Sequence, residues 1–257
     1  MSFVGGVGYS NIDLIYSGLD RLPDKGEEIF ARGFSMQFGG GIPATMINLS
    51  RLGVESRIIT FAGHDLFSEF VKKTLNSYPV KTVNLYKGNK MPVVLSSTLL
   101  YCGDRSFISY TDGMDLNDAV MDEVYENLKG AYVVDMHVGF LDVYKRLKKD
   151  GCIQIFDTGW EDDLTLEKYR DYLEIADYYI PNQKEAMKIT GTSSVEAAAD
   201  VLSEFFSDVT IKMDKEGCLL KNKDGIKIIS SVQNVKAIDA TGAGDAFMSG
   251  FIYGLYH

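Results

Sequence analysis

The feature that most constrains the fold is a regular alternation of helical and extended apolar segments after residue 112. Helical spacing of apolar residues alternates there with short runs rich in Val, Ile, Phe and Tyr, which are typical of strands. The predicted helices are 117–128, 140–149, 165–175, 183–190 and 194–206, and the predicted strands are 131–137, 153–157, 178–180 and 208–213. This order indicates βαβ units and therefore a doubly wound, mainly parallel sheet with helices on both faces.

The residues before 112 follow a different pattern, in which extended segments dominate. Two predicted helices, 42–52 and 66–77, interrupt them. The segments that do not fit the alternation are 12–16, 27–38, 92–101 and 106–110. We predict that they form a small antiparallel sheet beside the main one, acting as a lid, with lid strands drawn from 12–38 and 92–110. A β-meander at 218–222 and 226–230 and a last helix complete a single domain of residues 1–257.

An excess of acidic residues excludes some classes of binding partner for this chain. The chain of 257 residues has 36 acidic and 26 basic side chains, which gives a formal net charge of −10. Such a surface does not attract phosphate backbones or anionic lipid, so nucleic acid and membranes are not expected partners. The sequence starts without the basic and apolar regions of a secretory signal, and no apolar run is long enough to span a bilayer. We therefore expect a soluble, cytoplasmic protein.

The most informative motif is residues 239–247, which read DATGAGDAF and open an apolar helix. Two glycines separated by a small residue leave backbone N–H groups exposed at the positive end of the helix dipole, so this turn can cradle an anion. Asp245 follows in the first turn, where its carboxylate can accept a proton from a hydroxyl that attacks a bound phosphoryl group. The alternative is a glycine turn followed by an acid that only stabilises the helix N-terminus.

This run resembles the signature D-T-x-G-A-G-D-x-F of the PfkB (ribokinase-like) carbohydrate kinase family. The resemblance implies a ribokinase-like α/β fold with a site for ATP, Mg²⁺ and a sugar. By the same resemblance Asp245 is the catalytic base. The family's anion hole falls on the backbone amides of Gly242, Ala243 and Gly244. Thr241 is assigned to the nucleotide, and Asp239 to a monovalent cation such as K⁺.

A second segment, residues 38–53, resembles the family's N-terminal signature G-G-x-x-x-N…A-R-L-G. A glycine triplet before a helix lets the backbone approach a small ligand closely. The resemblance assigns Gly40 and Gly41 to the sugar. The Asn that binds sugar in the family falls on Ala44 here, so we expect Thr45 to replace the missing polar contact.

Three polar residues lie at or near the ends of predicted strands and are candidates for substrate contacts. Asp13 stands where the family carries an Asp that binds sugar hydroxyls, with a turn-forming Asp as the alternative. His137 and Asp157 end predicted strands at the carboxyl edge of the sheet, where ligands of α/β proteins bind. His137 is assigned to the sugar by the resemblance, with a hydrogen-bonded structural histidine as the alternative. For Asp157 we favour a helix-capping role.

Residues 181–185, which read PNQKE, match the N-x-x-E motif of the family. The resemblance places Asn182 near the ATP phosphates and gives Glu185 a role in holding Mg²⁺ through water. The alternative is a helix-capping box, in which the Asn caps the helix and the Glu three residues later reaches back. The two interpretations are compatible.

Residues 210–217 resemble the strand and turn, V-(T/K)-x-G-x-x-G, that cover the nucleotide in the family. Lys212 is then expected to direct its charge towards the phosphates, with a solvated surface lysine as the alternative. Gly217 is assigned to the nucleotide turn. Asp214 replaces the first glycine of this motif, which leaves the nucleotide contact at that position open.

Together the motifs predict an ATP-dependent phosphotransferase that acts on a hydroxymethyl group of a sugar or sugar derivative. The alternatives are a nucleoside kinase of the same superfamily, which would stack a base on aromatic lid residues, and a catalytically silent sugar-binding regulatory protein. An exposed apolar lid favours a homodimer. Family members usually continue beyond the last helix, so we expect a C-terminal extension to be missing from this sequence.

Overall fold

The computed structural model describes residues 2–102, 104–233, 235 and 242–257. In chain order the strands are β1 Phe3–Val7, β2 Asn11–Ser17, β3 Gly33–Gly39, β4 Ser56–Thr60, β5 Lys81–Asn84, β6 Val94–Tyr101, β7 Asp104–Tyr110, β8 Ala131–Met136, β9 Ile153–Phe156, β10 Tyr178–Tyr179, β11 Val209–Lys212, β12 Cys218–Asn222 and β13 Gly225–Ile229. The α-helices are α1 Gly41–Arg51, α2 Leu66–Asn76, α3 Asp118–Leu128, α4 Leu141–Lys149, α5 Leu166–Ile175, α6 Gln183–Thr190, α7 Val195–Leu202 and α8 Ala243–Tyr256.

The central sheet has the strand order β10-β9-β8-β1-β4-β5, and all its pairings are parallel. The parallel pairing results from helical crossovers that connect one strand of the sheet to the next. The predicted doubly wound fold is therefore confirmed. Beyond β10, β11 continues the layer, because the backbone N–H of Lys212 donates to the carbonyl of Pro181 at 2.9 Å. The antiparallel pair β12–β13 matches the predicted meander. Strand β11, which the alternation assigned to the parallel sheet, also pairs antiparallel with β12.

Helices cover both faces of the sheet, and each face has its own apolar core. Under α3 to α7 the core includes Leu128, Val143, Leu147, Leu173 and Leu202. Under α1, α2 and α8 it includes Met46, Leu49, Val71, Leu75 and Ile252. Each such side chain stabilises the fold by about 1.5–3 kcal/mol relative to its exposed state. Within the described ranges, no helix is long and apolar enough to cross a bilayer.

A second sheet, the lid sheet, has the order β3-β2-β6-β7. The pairs β2–β3 and β6–β7 are antiparallel, as predicted, but β2 and β6 run parallel. The prediction of a wholly antiparallel lid sheet was therefore wrong for the central pair, β2 and β6. The chain returns from β3 to β6 through two helices and two strands of the main sheet, and so long a crossover permits parallel pairing.

Some element boundaries also differ from the predicted ones. The segment 27–38 is a strand only from Gly33, and its first residues include the exposed Glu27 and Glu28 and lie outside the sheet. Strand β5, with its mixed polar sequence KTVN, was not predicted. The predicted helix 194–206 ends at Leu202, although Phe206 remains buried in the core beyond it.

Candidate active site

A cavity of about 280 Å³ opens where the carboxyl ends of β8 and β9 meet the N-termini of α1 and α8. We call it the central cavity. The polar and glycine residues that line it include Gly41, Thr45, Asp135, His137, Asp157 and Asp245. This is the edge of an α/β sheet at which ligands bind. Four of the site residues predicted from distant parts of the sequence, Gly41, Thr45, His137 and Asp245, therefore line one cavity.

The glycines that follow β3 are required by the local geometry. Gly40 has a φ of 102°, and a β-carbon there would lie 2.7 Å from the carbonyl oxygen of Tyr9. A β-carbon at Gly41 would lie 3.5 Å from Oδ1 of Asp245. No side chain of the described residues caps the N-terminus of α1. The backbone at Gly41 therefore stands open beside the carboxylate of Asp245.

Asp245 lies in the first turn of α8, which starts after Gly242 in the left-handed conformation with a φ of 76°. Among the described residues, no side chain caps this helix. Burial raises the pKa of Asp245 from 3.8 to about 6, although the positive charge of Lys212 opposes the shift. Ala243 and Gly244, the first residues of α8, are exposed next to this carboxylate. An anion cradle at their amides stays a prediction.

Lys212 ends β11 and points into the site. Its Nζ lies 2.6 Å from Oδ2 of Asp157, and both side chains are largely shielded from solvent. A β-carbon at Gly244 would lie 3.7 Å from the same Nζ. The ammonium group is therefore held between Asp157 and the N-terminus of α8. The solvated-lysine alternative is excluded by this geometry, and Asp157 is the partner of a cation rather than a helix cap.

Asn182 and Glu185 form the capping box of α6. The Asn182 side chain accepts hydrogen bonds from the backbone of Lys184 and Glu185, and Oε2 of Glu185 accepts one from the Asn182 backbone at 2.8 Å. The capping alternative is therefore confirmed. Burial raises the pKa of Glu185 to about 7, with the nearby Asp157 adding to the shift. Glu185 is therefore a buried acid close to Asp157, and the role in holding Mg²⁺ through water stays a prediction.

The two candidate sugar contacts His137 and Asp13 lie in different places: His137 is in the central cavity and Asp13 is on the lid sheet. His137 lines the central cavity, and its Nδ1 lies 2.8 Å from the carbonyl oxygen of Val138. Burial lowers the pKa of His137, which favours the neutral ring. Asp13 lies on β2 of the lid sheet, where the Asn11 amide donates to its Oδ1 at 3.0 Å and burial raises its pKa. It lies outside the residues that line the cavity.

The predicted nucleotide segment is described only in part. Asp214 adopts the left-handed conformation with a φ of 50°, so it takes the backbone shape for which the family motif has glycine. Gly217 has a φ of 101°, and a β-carbon there would lie 1.9 Å from the carbonyl oxygen of Ile229. Close packing of β13 accounts for that glycine. Thr241 and Asp239 lie outside the described residues.

Asp135 lines the cavity but was not among the predicted site residues. It is 3% exposed, Thr45 hydrogen bonds to its side chain, and burial raises its pKa well above the usual value. An acidic residue inside the apolar run AYVVDM was the signal available in the sequence. Thr45 faces this cavity and Ala44 is absent from its lining, as expected if Thr45 supplies the polar group.

Comparison with known proteins first gives the class, a carbohydrate kinase, because a family model matches the whole chain. The similar proteins include enzymes named ribokinase and deoxyribokinase. A family model described as pfkB family carbohydrate kinase matches residues 1–257. The chain belongs to that family.

Individual relatives are distant but cover most of the chain. Ribokinase of Lactococcus lactis is 22% identical, over 99% of this chain and 84% of its own length. Deoxyribokinase of Salmonella typhi is 24% identical, over 96% of this chain and 83% of its own. The structure of Arabidopsis thaliana ribokinase with ribose and ATP superposes with a TM-score of 0.80 at 22% identity, covering 99% of this chain and 86% of that one. That likeness supports the fold.

Proposed function

We propose that this kinase transfers the γ-phosphate of ATP to a hydroxymethyl group of a sugar, with Asp245 as the general base. The observation that carries the proposal is the position of its carboxylate, which faces Gly41 in the central cavity in the first turn of α8. A hydroxyl bound there lies between a proton acceptor and an anion cradle. These are the two groups that in-line phosphoryl transfer needs.

The site divides into a sugar side and a phosphate side. On the sugar side we place Gly40, Gly41 and Thr45, with His137 on the cavity wall and Asp13 on the lid sheet. The phosphate side comprises the backbone amides of Gly242, Ala243 and Gly244 together with the ammonium of Lys212. Asn182, Gly217 and Thr241 remain predicted nucleotide contacts.

The residues present fit a magnesium ion held mainly by nucleotide phosphates and water. Mg²⁺ typically takes one or two carboxylates together with substrate phosphates. No three His, Cys, Asp or Glu side chains of the described residues gather as a protein cage. Within the part of the chain that the structure describes, Oδ1 of Asp157 is buried without a hydrogen-bond partner. Glu185 is the acid we assign to the ion through water. The bound ion would neutralise charge on the phosphates. A K⁺ ion at Asp239 remains a prediction.

The test of the proposed function is phosphate transfer from radiolabelled ATP to a panel of pentoses, hexoses, their derivatives and nucleosides. We expect at least one sugar to be labelled on its hydroxymethyl oxygen in a reaction that releases ADP. Labelling of nucleosides in preference to every sugar would contradict the proposal. So would sugar binding without transfer, which is the behaviour of a silent regulatory protein.

The turnover number should fall as the pH drops through about 6 to 7. Asp245 must be ionised to accept a proton, and its pKa is raised to about 6 by burial. Glu185, with a pKa raised to about 7, gains its proton in the same range. Measuring kcat and kcat/KM between pH 5 and 9 checks this. An acid limb centred near pH 4 would contradict the environment assigned to Asp245.

Replacing Asp13 with Ala should weaken sugar binding by about 10- to 100-fold and leave ATP binding nearly unchanged. A carboxylate that accepts sugar hydroxyls makes charge-assisted hydrogen bonds worth about 1.5–3 kcal/mol each. Isothermal titration with each ligand measures the two effects. Asp20→Ala is the matched control, since Asp20 is an exposed lid-region acid paired with Arg32. A larger loss for ATP than for the sugar would remove Asp13 from the sugar site.

We further propose that the lid sheets of two copies associate. The edge strands β3 and β7 expose large apolar side chains: Phe34, Met36, Phe107, Ile108 and Tyr110. Unpaired strand edges with apolar residues favour pairing with another chain. Light scattering after size exclusion should give twice the chain mass, and Phe34→Lys with Ile108→Lys should give the monomer mass. A monomeric parent would refute the dimer. A cytoplasmic location remains a prediction.

A further inference from the structure

A second cavity lies beside the loop that follows β9, and its volume of about 580 Å³ is within the range of small-molecule sites. The run from Asp157 to Gly159 lines the central cavity, and the next residue, Trp160, lines the second one. Among the described residues, none lines both cavities. We call the second cavity the Trp160 pocket. Its walls include Trp160 and Leu164 of the loop and Lys184, Met187 and Lys188 of α6.

Trp160 gives this pocket an exposed aromatic surface. The indole side chain is 58% exposed, and Leu164 and Met187 line the pocket with it. An indole combines a large apolar face with a polar edge, and tryptophan is enriched at binding interfaces for that reason. A flat aromatic ring that stacks on Trp160 would remove the apolar faces of both rings from water. The pocket is therefore suited to a ligand with a planar ring.

Two lysines of α6 add positive charge to the same pocket. Lys184 and Lys188 are four residues apart, so they lie on one face of the helix, and both are exposed. The Nζ of Lys188 lies 5.8 Å from the centre of the Trp160 ring, within the range of a cation–π contact. Among the described residues, neither lysine pairs with an acid, whereas Lys168 and Lys221 do. The two ammonium groups are therefore available to an anion.

The acids of the adjacent loop leave this positive charge in place. Glu161 and Asp163 both accept hydrogen bonds from Lys168, so both acids are held by that cation. Asp162 is the acid that lines the pocket. Two lysines against one acid give the pocket a positive balance, in a chain whose formal net charge is −10. An anionic group is therefore favoured at the α6 side of the pocket, and an uncharged ring at Trp160.

We propose that the Trp160 pocket is a second binding site, for a small planar aromatic anion such as a nucleoside monophosphate. The ring stacks on Trp160, and the phosphate or carboxylate accepts hydrogen bonds from Lys184 and Lys188. A neutral ring would make no use of the lysines, and a simple phosphate would leave the indole exposed. Because the site is separate from the candidate active site, its test does not depend on the proposed phosphate transfer.

The fluorescence of Trp160 reports occupancy of the pocket directly, because it is the only tryptophan of the chain. The probes are AMP and phenyl phosphate, which carry both a ring and a phosphate. Adenosine and ribose 5-phosphate each carry one of the two groups. We expect saturable quenching by AMP and phenyl phosphate, and at least about 10-fold weaker binding of adenosine and ribose 5-phosphate than of AMP. Added salt should weaken the binding of AMP and leave that of adenosine nearly unchanged.

The double variant Lys184→Ala/Lys188→Ala tests the two lysines. Loss of both ammonium groups should weaken AMP binding by at least about 10-fold and leave adenosine binding unchanged. Lys145→Ala is the matched control, since Lys145 is an exposed lysine of α4 outside the pocket. Trp160→Leu keeps an apolar side chain but removes the ring, so calorimetry should show weaker AMP binding. The melting temperature of each variant should stay close to the parental value.

The outcomes distinguish a ligand site from an ordinary surface pocket. Quenching that needs both ring and phosphate, and that is weakened in Lys184→Ala/Lys188→Ala but not in Lys145→Ala, supports the inference. Adenosine that binds as tightly as AMP overturns it, because the lysines then recognise no anion. Loss of the AMP signal in Lys212→Met but not in the double variant overturns it by assigning AMP to the candidate active site. No quenching by AMP or phenyl phosphate also overturns it, whether or not the variants fold.

Discussion

Asp245→Asn should lower the turnover number by about 10²- to 10⁴-fold while the affinity for sugar changes little. The amide keeps the size and most hydrogen bonds of the carboxylate, but it cannot accept the proton of the attacking hydroxyl. The loss of activity should therefore appear in kcat rather than in KM. Steady-state kinetics with the best acceptor of the panel, combined with titration of sugar binding, measures the two separately.

The control for this variant must separate catalysis from helix stabilisation. Asp142→Asn provides it, because Asp142 also lies in the first turn of a helix, α4, and is exposed. An acid at that position stabilises a helix by about 0.3–1 kcal/mol through the dipole. If Asp142→Asn and Asp245→Asn lower the melting temperature by the same small amount, but only Asp245→Asn loses turnover, the role of Asp245 is catalytic. Near-parental turnover in Asp245→Asn would remove Asp245 as the base.

Lys212→Met should lower the turnover number by about 10²- to 10³-fold, which is the size of loss seen when one donor that stabilises transition-state charge is removed. A second effect follows from electrostatics. Because the ammonium of Lys212 lowers the pKa of Asp245, its removal should raise that pKa and move the acid limb of the pH profile to higher pH. The same pH series used for the parent protein measures this displacement.

Lys221→Met is the matched control for that variant. Lys221 lies on the adjacent strand β12 and forms an ion pair with Asp200, away from the central cavity. It should keep the parental turnover and pH profile. The double variant Lys212→Met/Asp157→Asn should recover stability relative to Lys212→Met, since it removes the carboxylate left without its partner. Parental turnover in Lys212→Met would exclude a phosphate contact.

The alternation of strands and helices after residue 112 allowed the parallel sheet to be predicted from the sequence, because period and composition are local properties. The conformation of Asp214 could not be predicted, since a residue other than glycine at a φ of 50° depends on the surrounding turn. The parallel pairing of β2 with β6 likewise depends on where a long crossover returns, which local sequence does not specify.

The candidate site follows the same division. Asp245 and the glycines around it were predictable because each lies in a contiguous motif. Asp157 was assigned a capping role because its partner, Lys212, is 55 residues away in the sequence. Asp135 was missed because a single acid in a buried strand has no recognisable spacing. Interactions across sheet edges carry no local pattern, so they emerge only when the fold brings their partners together.

The pairing of α1 with α8 has a consequence for how this protein is synthesised. The hydroxyl of Ser249 lies 3.4 Å from the carbonyl oxygen of Thr45, across 204 residues, and Met46 and Met248 share one core. Contacts of such sequence separation form late and slow folding. On the ribosome, the side of α1 that packs against α8 stays uncovered until nearly the whole domain has emerged. Helix α8, which covers this apolar surface and so protects it from aggregation, also carries Asp245. The surface is therefore covered and the candidate catalytic site assembled in the same step of folding.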